Sequence, residues 1–181
     1  ANNASIETLE RLMTLQERYE SNEARKQFYS AMQQFQGIKP ELKRNSKVNF
    51  NTTKGTTNYN FCALSDIDKA LKEPLSKCGL SYRFENFTED GLIGIRCIVS
   101  HVAGHSESTP MKAPLDASGN KNNIQGIGST STYLMRYSLI AAFALTTADE
   151  DDDGGQNSDF PLVRVLQQNV LLRDINLLKV I

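Results

Sequence analysis

The chain of 181 residues predicts an α+β domain, and three observations predict it. From Ser5 to Gln36 there is no Gly or Pro, and Ile6, Leu9, Leu12, Met13 and Tyr19, then Phe28, Met32 and Phe35, recur at helical spacing. The middle of the chain breaks into short strand-like segments separated by reversals at Lys54-Gly55, Asp90-Gly91 and Gly104, as antiparallel neighbours require. From Gly126 to Leu145 the pattern is helical again, apolar on most sides, and it runs into the acidic stretch Asp149 to Asp153.

The length suits one full hydrophobic core with an appended tail. The composition changes after Gly154-Gly155, which divides a core domain, residues 1–155, from a C-terminal segment, residues 156–181, of unassigned function. No stretch reaches the roughly 20 apolar residues of a membrane span, and Ala1-Asn2-Asn3-Ala4 does not read as a secretory signal, so a cytoplasmic protein is expected. Cys62, Cys78 and Cys97 are odd in number and widely spaced, which suits buried small hydrophobes better than disulfides or a zinc ribbon. The net charge of −1 conceals an uneven distribution. Lys39, Lys43, Arg44, Lys47 and Lys54 face one anion, Glu41, between residues 39 and 60, whereas residues 149–153 are all acidic.

In order along the chain, the first helix can be continuous or broken within Glu20 to Gln27, and its apolar stripe can pack on its own core or on another subunit. Gly37 and Pro40 end it. Glu41 to Asn51 and Thr56 to Phe61 read as a hairpin rich in Asn, Thr and Lys, whose cations and aromatic residues suit an extended nucleic-acid strand. The same lysines would also protect a solvated edge. Ser65-Asp66-Ile67-Asp68 has a capping-box pattern and opens a helix that contains Pro74 and ends at Gly79. Leu80, Tyr82 and Phe84 alternate with polar residues as a strand with one buried face, Leu92 to Val102 reads as the central strand, and Ser106 to Met111 returns as a third. Lys112 to Gln125 reads as a loop ordered by a ligand.

The last helix carries the most chemistry. Gly126, Gly128 and the hydroxyls of Ser129, Thr130, Ser131 and Thr132 mark its start, where amide groups lack partners and an anion can bind. Ser129, Thr132, Tyr133, Arg136, Ile140 and Phe143 share one face of the helical wheel. A cation among apolar residues must find a carboxylate, backbone carbonyls or an incoming phosphate, and residue type alone leaves Arg136 open to each.

No G-x-x-x-x-G-K-[ST] spacing is present, so no P-loop ATP site is expected. Cys97, His101 and His105 are four apart in turn, but Gly104 reverses the chain between the histidines and no fourth zinc ligand is evident. Consecutive carboxylates at 149–153 point in different directions into water, unlike the convergent floor of a Mg²⁺ nuclease. No metal or other cofactor is expected.

Gly128-Ser129-Thr130-Ser131-Thr132-Tyr133, Arg136-Tyr137-Ser138-Leu139, Phe143-Ala144-Leu145 and the acidic run to Gly154 follow a G-S-x-x-T-Y, R-Y-x-L and acid-rich order. With Tyr59-Asn60-Phe61, Ala63-Leu64-Ser65-Asp66-Ile67 and Leu75-Ser76-Lys77-Cys78-Gly79-Leu80 upstream, the chain from Phe28 to Gly155 resembles the ERF (essential recombination function) family of phage single-strand annealing proteins. Ala144 departs from the pattern, since glycine is common there. The resemblance implies an annealing-protein fold related to the RecT and Redβ group, with a protruding β-hairpin and antiparallel sheet packed on long helices, assembled as a homo-oligomeric ring or helical filament. It implies single-stranded DNA and annealed duplex as partners, a companion exonuclease, the cytoplasm of a bacterial host, and no catalysis of its own. Annealing leaves base edges open, so contacts should go to phosphates. The candidate DNA-binding residues are Lys43, Arg44, Lys47, Lys54, Tyr59, Arg96, Lys121, Ser129, Thr132, Tyr133 and Arg136. Two rival classes are a metal-dependent nuclease, from the acidic run and histidines, and an oligomerising adaptor without DNA affinity, from the long helix.

Overall fold

The Gly- and Pro-free stretch forms one unbroken helix, α1 (Ile6–Ile38), whose N-cap Ser5 accepts from the Thr8 amide in the computed structural model. The structure describes residues 5–43, 46–52, 55–118 and 121–146, with only the backbone of 47–52 and 55–60. These residues belong to the first of two units, Ala1–Ala148. The break expected within Glu20 to Gln27 is absent; Gln16 to Glu20 and Lys26 to Glu23 bridges, 2.8 and 2.7 Å, span that interval along the helix surface. Only the C-terminal half of α1 enters the core, through Phe28, Ala31 and Phe35.

After α1 come β1 (Ser46–Thr52) and β2 (Gly55–Phe61), an antiparallel pair in register from Ser46 opposite Phe61 to Thr52 opposite Gly55. This hairpin is a two-stranded sheet of its own. Next is α2 (Leu64–Lys77). It begins one residue before the expected Ser65 cap, with Ala63 at the N-cap and no side-chain cap bond, so the capping box does not form. Pro74 is accommodated inside the last turn, where the Cys78 amide reaches the carbonyls of Pro74 and Leu75.

Then β3 (Leu80–Glu89), β4 (Leu92–His101) and β5 (Ser106–Ala113) form a three-stranded antiparallel sheet with β4 in the centre. Asp90 and Gly91 turn β3 into β4 with φ of 53° and 74°, the left-handed geometry that makes Asp-Gly a hairpin signal. Register pairs Tyr82 with Val99 and Phe84 with Cys97 on one face, and Glu85 with Arg96 on the other. Cys97 and Val99 join Phe28 and Phe35 of α1, Ile67, Leu71 and Leu75 of α2, and Leu139 and Phe143 of α3 (Asn123–Phe143) in one cluster. All three helices thus serve the same sheet face. The three cysteines are free and buried, and burial pushes the Cys97 thiol up to about 12. Among the described residues no helix is long and apolar enough to cross a membrane.

The end of α3 explains the glycine preference at position 144. Ala144 has φ 48° and ψ 49°; the Leu145 amide returns to the Ile140 carbonyl and that of Ala144 to Ala141. This is a Schellman closure, with buried Leu145 as its apolar contact and a residue other than glycine in the left-handed position. Left-handed backbone costs an L-residue about 1–2 kcal/mol, and glycine's extra freedom in the unfolded chain returns about 0.4–1 kcal/mol of that. The Ala144 side chain is exposed, so its removal loses no packing. Ala144→Gly is therefore expected to raise stability by about 0.5–1 kcal/mol, measured as a higher urea midpoint with an unchanged m-value.

Candidate nucleic-acid interface

The start of α3 differs from the sequence expectation. Asn122 is the N-cap; its side chain accepts from the Gln125 amide, and the Gln125 side chain accepts from the Asn122 amide, at 2.9 and 3.0 Å. That reciprocal capping box satisfies donors that an anion would otherwise use. The hydroxyl cluster therefore lies one to three turns inside the helix, not at its end.

Those hydroxyls hold the preceding loop. Ser129 donates to Asp116 Oδ2 at 2.5 Å, and the Asp116 amide donates to Thr130 Oγ1 at 2.9 Å. Thr130 also donates to the Pro114 carbonyl. Lys121 reaches Asp116 Oδ2 at 2.5 Å, and Ser118 donates to Oδ1 from both its amide and its hydroxyl, at 3.0 and 2.6 Å. Thr132 donates to the Gly128 carbonyl within the helix. The loop passes so close to Gly126 that a Cβ there would lie 2.7 Å from the Asp116 carbonyl oxygen. Hence Gly126 is needed for a backbone approach, and residues 114–118 of the preceding loop are held against α3 by these bonds. Lys121, with Ser118 and Ser129, holds the Asp116 carboxyl far below the usual carboxylate range.

Arg136 lies two turns further on and is 7% exposed. Its guanidinium carbon is 4.6 Å from the Tyr133 ring centroid, 4.7 Å from Phe61 and 5.3 Å from Tyr137. Tyr133 and Tyr137 are stacked, with centroids 6.1 Å apart and planes at 22°. Spacings of three and four residues put these tyrosines beside Arg136 on the helix, and Phe61 arrives from the last position of β2. Among the described residues no carboxylate pairs with Arg136, and its buried Nε has no hydrogen-bond partner. The ion-pair alternative is therefore not met among these residues, and a cation with unused donors stands where the hairpin meets α3.

The other candidates are distributed unevenly. Lys43 is exposed just before the hairpin. Lys47 lies opposite Asn60, and Tyr59 opposite Val48, in the backbone register; the side chains of Lys47 and Tyr59, and all of Arg44 and Lys54, lie outside the described residues. So do the acidic run 149–153 and residues 156–181. Arg96 is on the sheet face turned away from the helices, where it meets Glu85 at 3.3 Å and lies 5.1 Å over the Phe87 ring. The structure thus brings Tyr133 and Arg136 together, gathers Ser129 and Lys121 around Asp116, and keeps Arg96 apart from both groups. Phe61 and Tyr137 were not among the candidates. The spacing of Tyr137 from Tyr133 was a usable signal; nothing local marks Phe61. Cys97 is in the core, the His101 ring accepts from the Ala103 amide, and His105 lies edge-on to Phe28, so the spaced Cys and His residues have separate surroundings.

An α+β domain that joins a hairpin to a buried arginine, ringed by aromatic residues and without a carboxylate partner among the described residues, is the class defined by this geometry. A family model, the ERF superfamily, matches residues 28–160, and the chain belongs to that superfamily. Membership points to recombination by strand annealing. No curated protein and no solved structure gives a match.

The loop clasp has a pH signature. A carboxyl whose folded pKa is depressed contributes stability fully above its unfolded value of about 3.9, and loses it as pH falls through the folded value. Asp116→Asn should therefore be less stable than the parent chain at pH 7, and the difference should shrink below about pH 4, in urea titrations across that range.

Proposed function

We propose that this chain binds single-stranded DNA through its phosphates and anneals complementary strands without nucleotide hydrolysis, as a homo-oligomeric ring or helical filament acting beside an exonuclease. The observation that carries the reading is Arg136, a buried cation held by three rings and without a carboxylate partner among the described residues, in a chain of the ERF superfamily. A phosphate oxygen supplies the acceptor that the guanidinium lacks, and charge-assisted bonds of this kind are roughly twice as strong as neutral ones. Exposed Lys43 precedes the hairpin, and the basic residues Arg44, Lys47 and Lys54 extend the same stretch of sequence. Tyr59 and Tyr133 offer rings on which bases stack, a sequence-tolerant contact of about 1–3 kcal/mol per base. Binding backbone and ring faces leaves the Watson–Crick edges to the incoming strand. The protein's part is concentration and alignment, with no bond made or broken.

Lys121, Ser129, Thr132 and Arg96 have intramolecular partners, so in this reading they support the site or meet DNA after exchanging partners. Complementary fluorescent oligonucleotides should anneal faster with the protein than without it, equally with and without ATP, and more slowly as salt rises. Equal rates with and without protein would contradict annealing; DNA cut in Mg²⁺ would support the nuclease class instead. Lys43→Ala should weaken binding uniformly across sequences and reduce the slope of log affinity against log salt by about 0.7, the value for one single-strand phosphate contact.

A further inference from the structure

Four donors converge on the Asp116 carboxylate beside α3. Lys121 Nζ and the Ser129 hydroxyl reach Oδ2, both at 2.5 Å, and the Ser118 amide and hydroxyl reach Oδ1 at 3.0 and 2.6 Å. Lys121 also donates to Ser118 Oγ at 3.1 Å, so its ammonium spans the cluster. An ammonium, two hydroxyls and a backbone amide around one negative charge shared by two oxygens make the donor set of an anion site. A phosphodiester presents the same charge over two oxygens, and lysines, serine hydroxyls and backbone amides are groups that contact DNA phosphates. These donors are distinct from the end of α3, where Asn122 and Gln125 cap each other.

The carboxylate can leave this cluster while the loop stays in place. The Asp116 amide donates to Thr130 Oγ1 at 2.9 Å, Thr130 donates to the Pro114 carbonyl at 3.3 Å, and Gly126 admits the Asp116 carbonyl against the helix, none of which involves the carboxylate. Asp116 and Lys121 are also open to solvent over 24% and 36% of their side-chain surfaces, and ion pairs so placed are held weakly. The position of the cluster points to its ligand. Ser129 and Arg136 are seven residues apart, which returns a helix to within about 20° of the same face and advances it about 10 Å. Arg136, 7% exposed, has its Nε without a partner among the described residues. Phosphates of a stacked strand recur at about 3.4 Å along its axis, so the two places are separated by the rise of about three nucleotides. Tyr133, one turn beyond Ser129 and 4.6 Å from the Arg136 guanidinium, stands between them.

We propose that Lys121, Ser118 and Ser129 form a second phosphate site on the face of α3 that carries Arg136, and that the Asp116 carboxylate occupies it as an internal surrogate which an arriving phosphate displaces. Engagement of a DNA strand there rests on the annealing reading; the anion site itself does not. The donors exchange one anion for another, and no covalent bond changes. Removing the carboxylate frees the donors. In Asp116→Ala, inorganic phosphate at constant ionic strength should raise the thermal midpoint by about 3 °C relative to chloride, the shift for a ligand near ten times its Kd. The parent chain should shift far less, and adding Lys121→Met should remove the gain. Asp116→Ala should also bind a fluorescent single-stranded oligonucleotide roughly threefold or more tightly than the parent chain, since no internal anion competes. Its slope of log affinity against log salt should steepen by about 0.7, one further phosphate contact. Asp116→Asn keeps an acceptor for the Ser118 amide and gives up the charge that holds Lys121, so it carries both measurements if Asp116→Ala loses its helical circular dichroism. Equal phosphate shifts in the parent chain and the folded variant, or DNA affinity unchanged or weakened in that variant, would overturn the inference while DNA binding by the parent chain, and with it the annealing reading, stands. Phosphate stabilisation of the variant with no DNA affinity in any of these chains would uphold the anion site and contradict the annealing reading.

Discussion

The end of α3 depends on donors from the end of α1, and the placement of the candidate site follows from that dependence. A helix C-terminus leaves carbonyls without intrahelical partners. Here the Phe143 carbonyl accepts from the Gln36 side chain at 3.0 Å, the Ala144 carbonyl from Lys39 Nζ at 2.6 Å, and the Thr146 carbonyl from the Leu42 amide at 3.1 Å. Beneath these bonds the Phe35 and Phe143 rings pack with centroids 5.0 Å apart, and Tyr82 of β3 meets Phe143 from the sheet. The same segment then leads through buried Leu42 into the hairpin. Fixing the end of α3 therefore also fixes where β1 starts, and so where Phe61 at the end of β2 can meet Arg136.

At Arg136 the magnitudes favour an external anion. A cation over an aromatic ring gains about 0.5–2 kcal/mol, more when desolvated, and three rings surround this guanidinium. Removing an ion from water costs several kcal/mol even after relaxation. The rings can bring these terms near balance, but they accept no N–H bonds in the guanidinium plane, and Nε has no partner among the described residues. An arriving phosphate adds acceptors and opposite charge to a side chain whose position is already set. The neighbouring loop contributes rigidity by a different route: Asp116 gathers Lys121, Ser118 and Ser129 and locks the entrance of α3. Lysine and serine that read as phosphate ligands in sequence have an internal carboxylate as their partner.

Much of the fold was legible because local patterns and tertiary packing agree. The Asp90-Gly91 turn, the apolar central strand and the helical period of α1 each have one stable solution. The start of α3 was misplaced because two glycines and four hydroxyls resemble a helix entrance, while Gly126 is there for the loop that crosses it. The Asn122 and Gln125 pair carried the true signal. Tyr133 and Tyr137 lay at helical spacing from Arg136, but Phe61 is distant in sequence, and no periodicity forecasts a contact between a strand end and a helix. Likewise the stripe on α1 reads the same whether its own core or a second copy covers it. Only the packing shows that coverage begins at Phe28.

The central claim, that Arg136 serves a phosphate and not an internal ion pair, is tested most directly by Arg136→Met, with stability and single-stranded DNA affinity measured on the same preparation. Breaking a buried ion pair costs about 3–5 kcal/mol, whereas replacing an unpaired buried cation by an apolar side chain of similar length is near neutral. Methionine also keeps contact with the surrounding rings. The account predicts an unfolding midpoint close to that of the parent chain together with at least tenfold weaker DNA binding and a shallower salt dependence. A large loss of stability, or full DNA affinity in a folded variant, would contradict it.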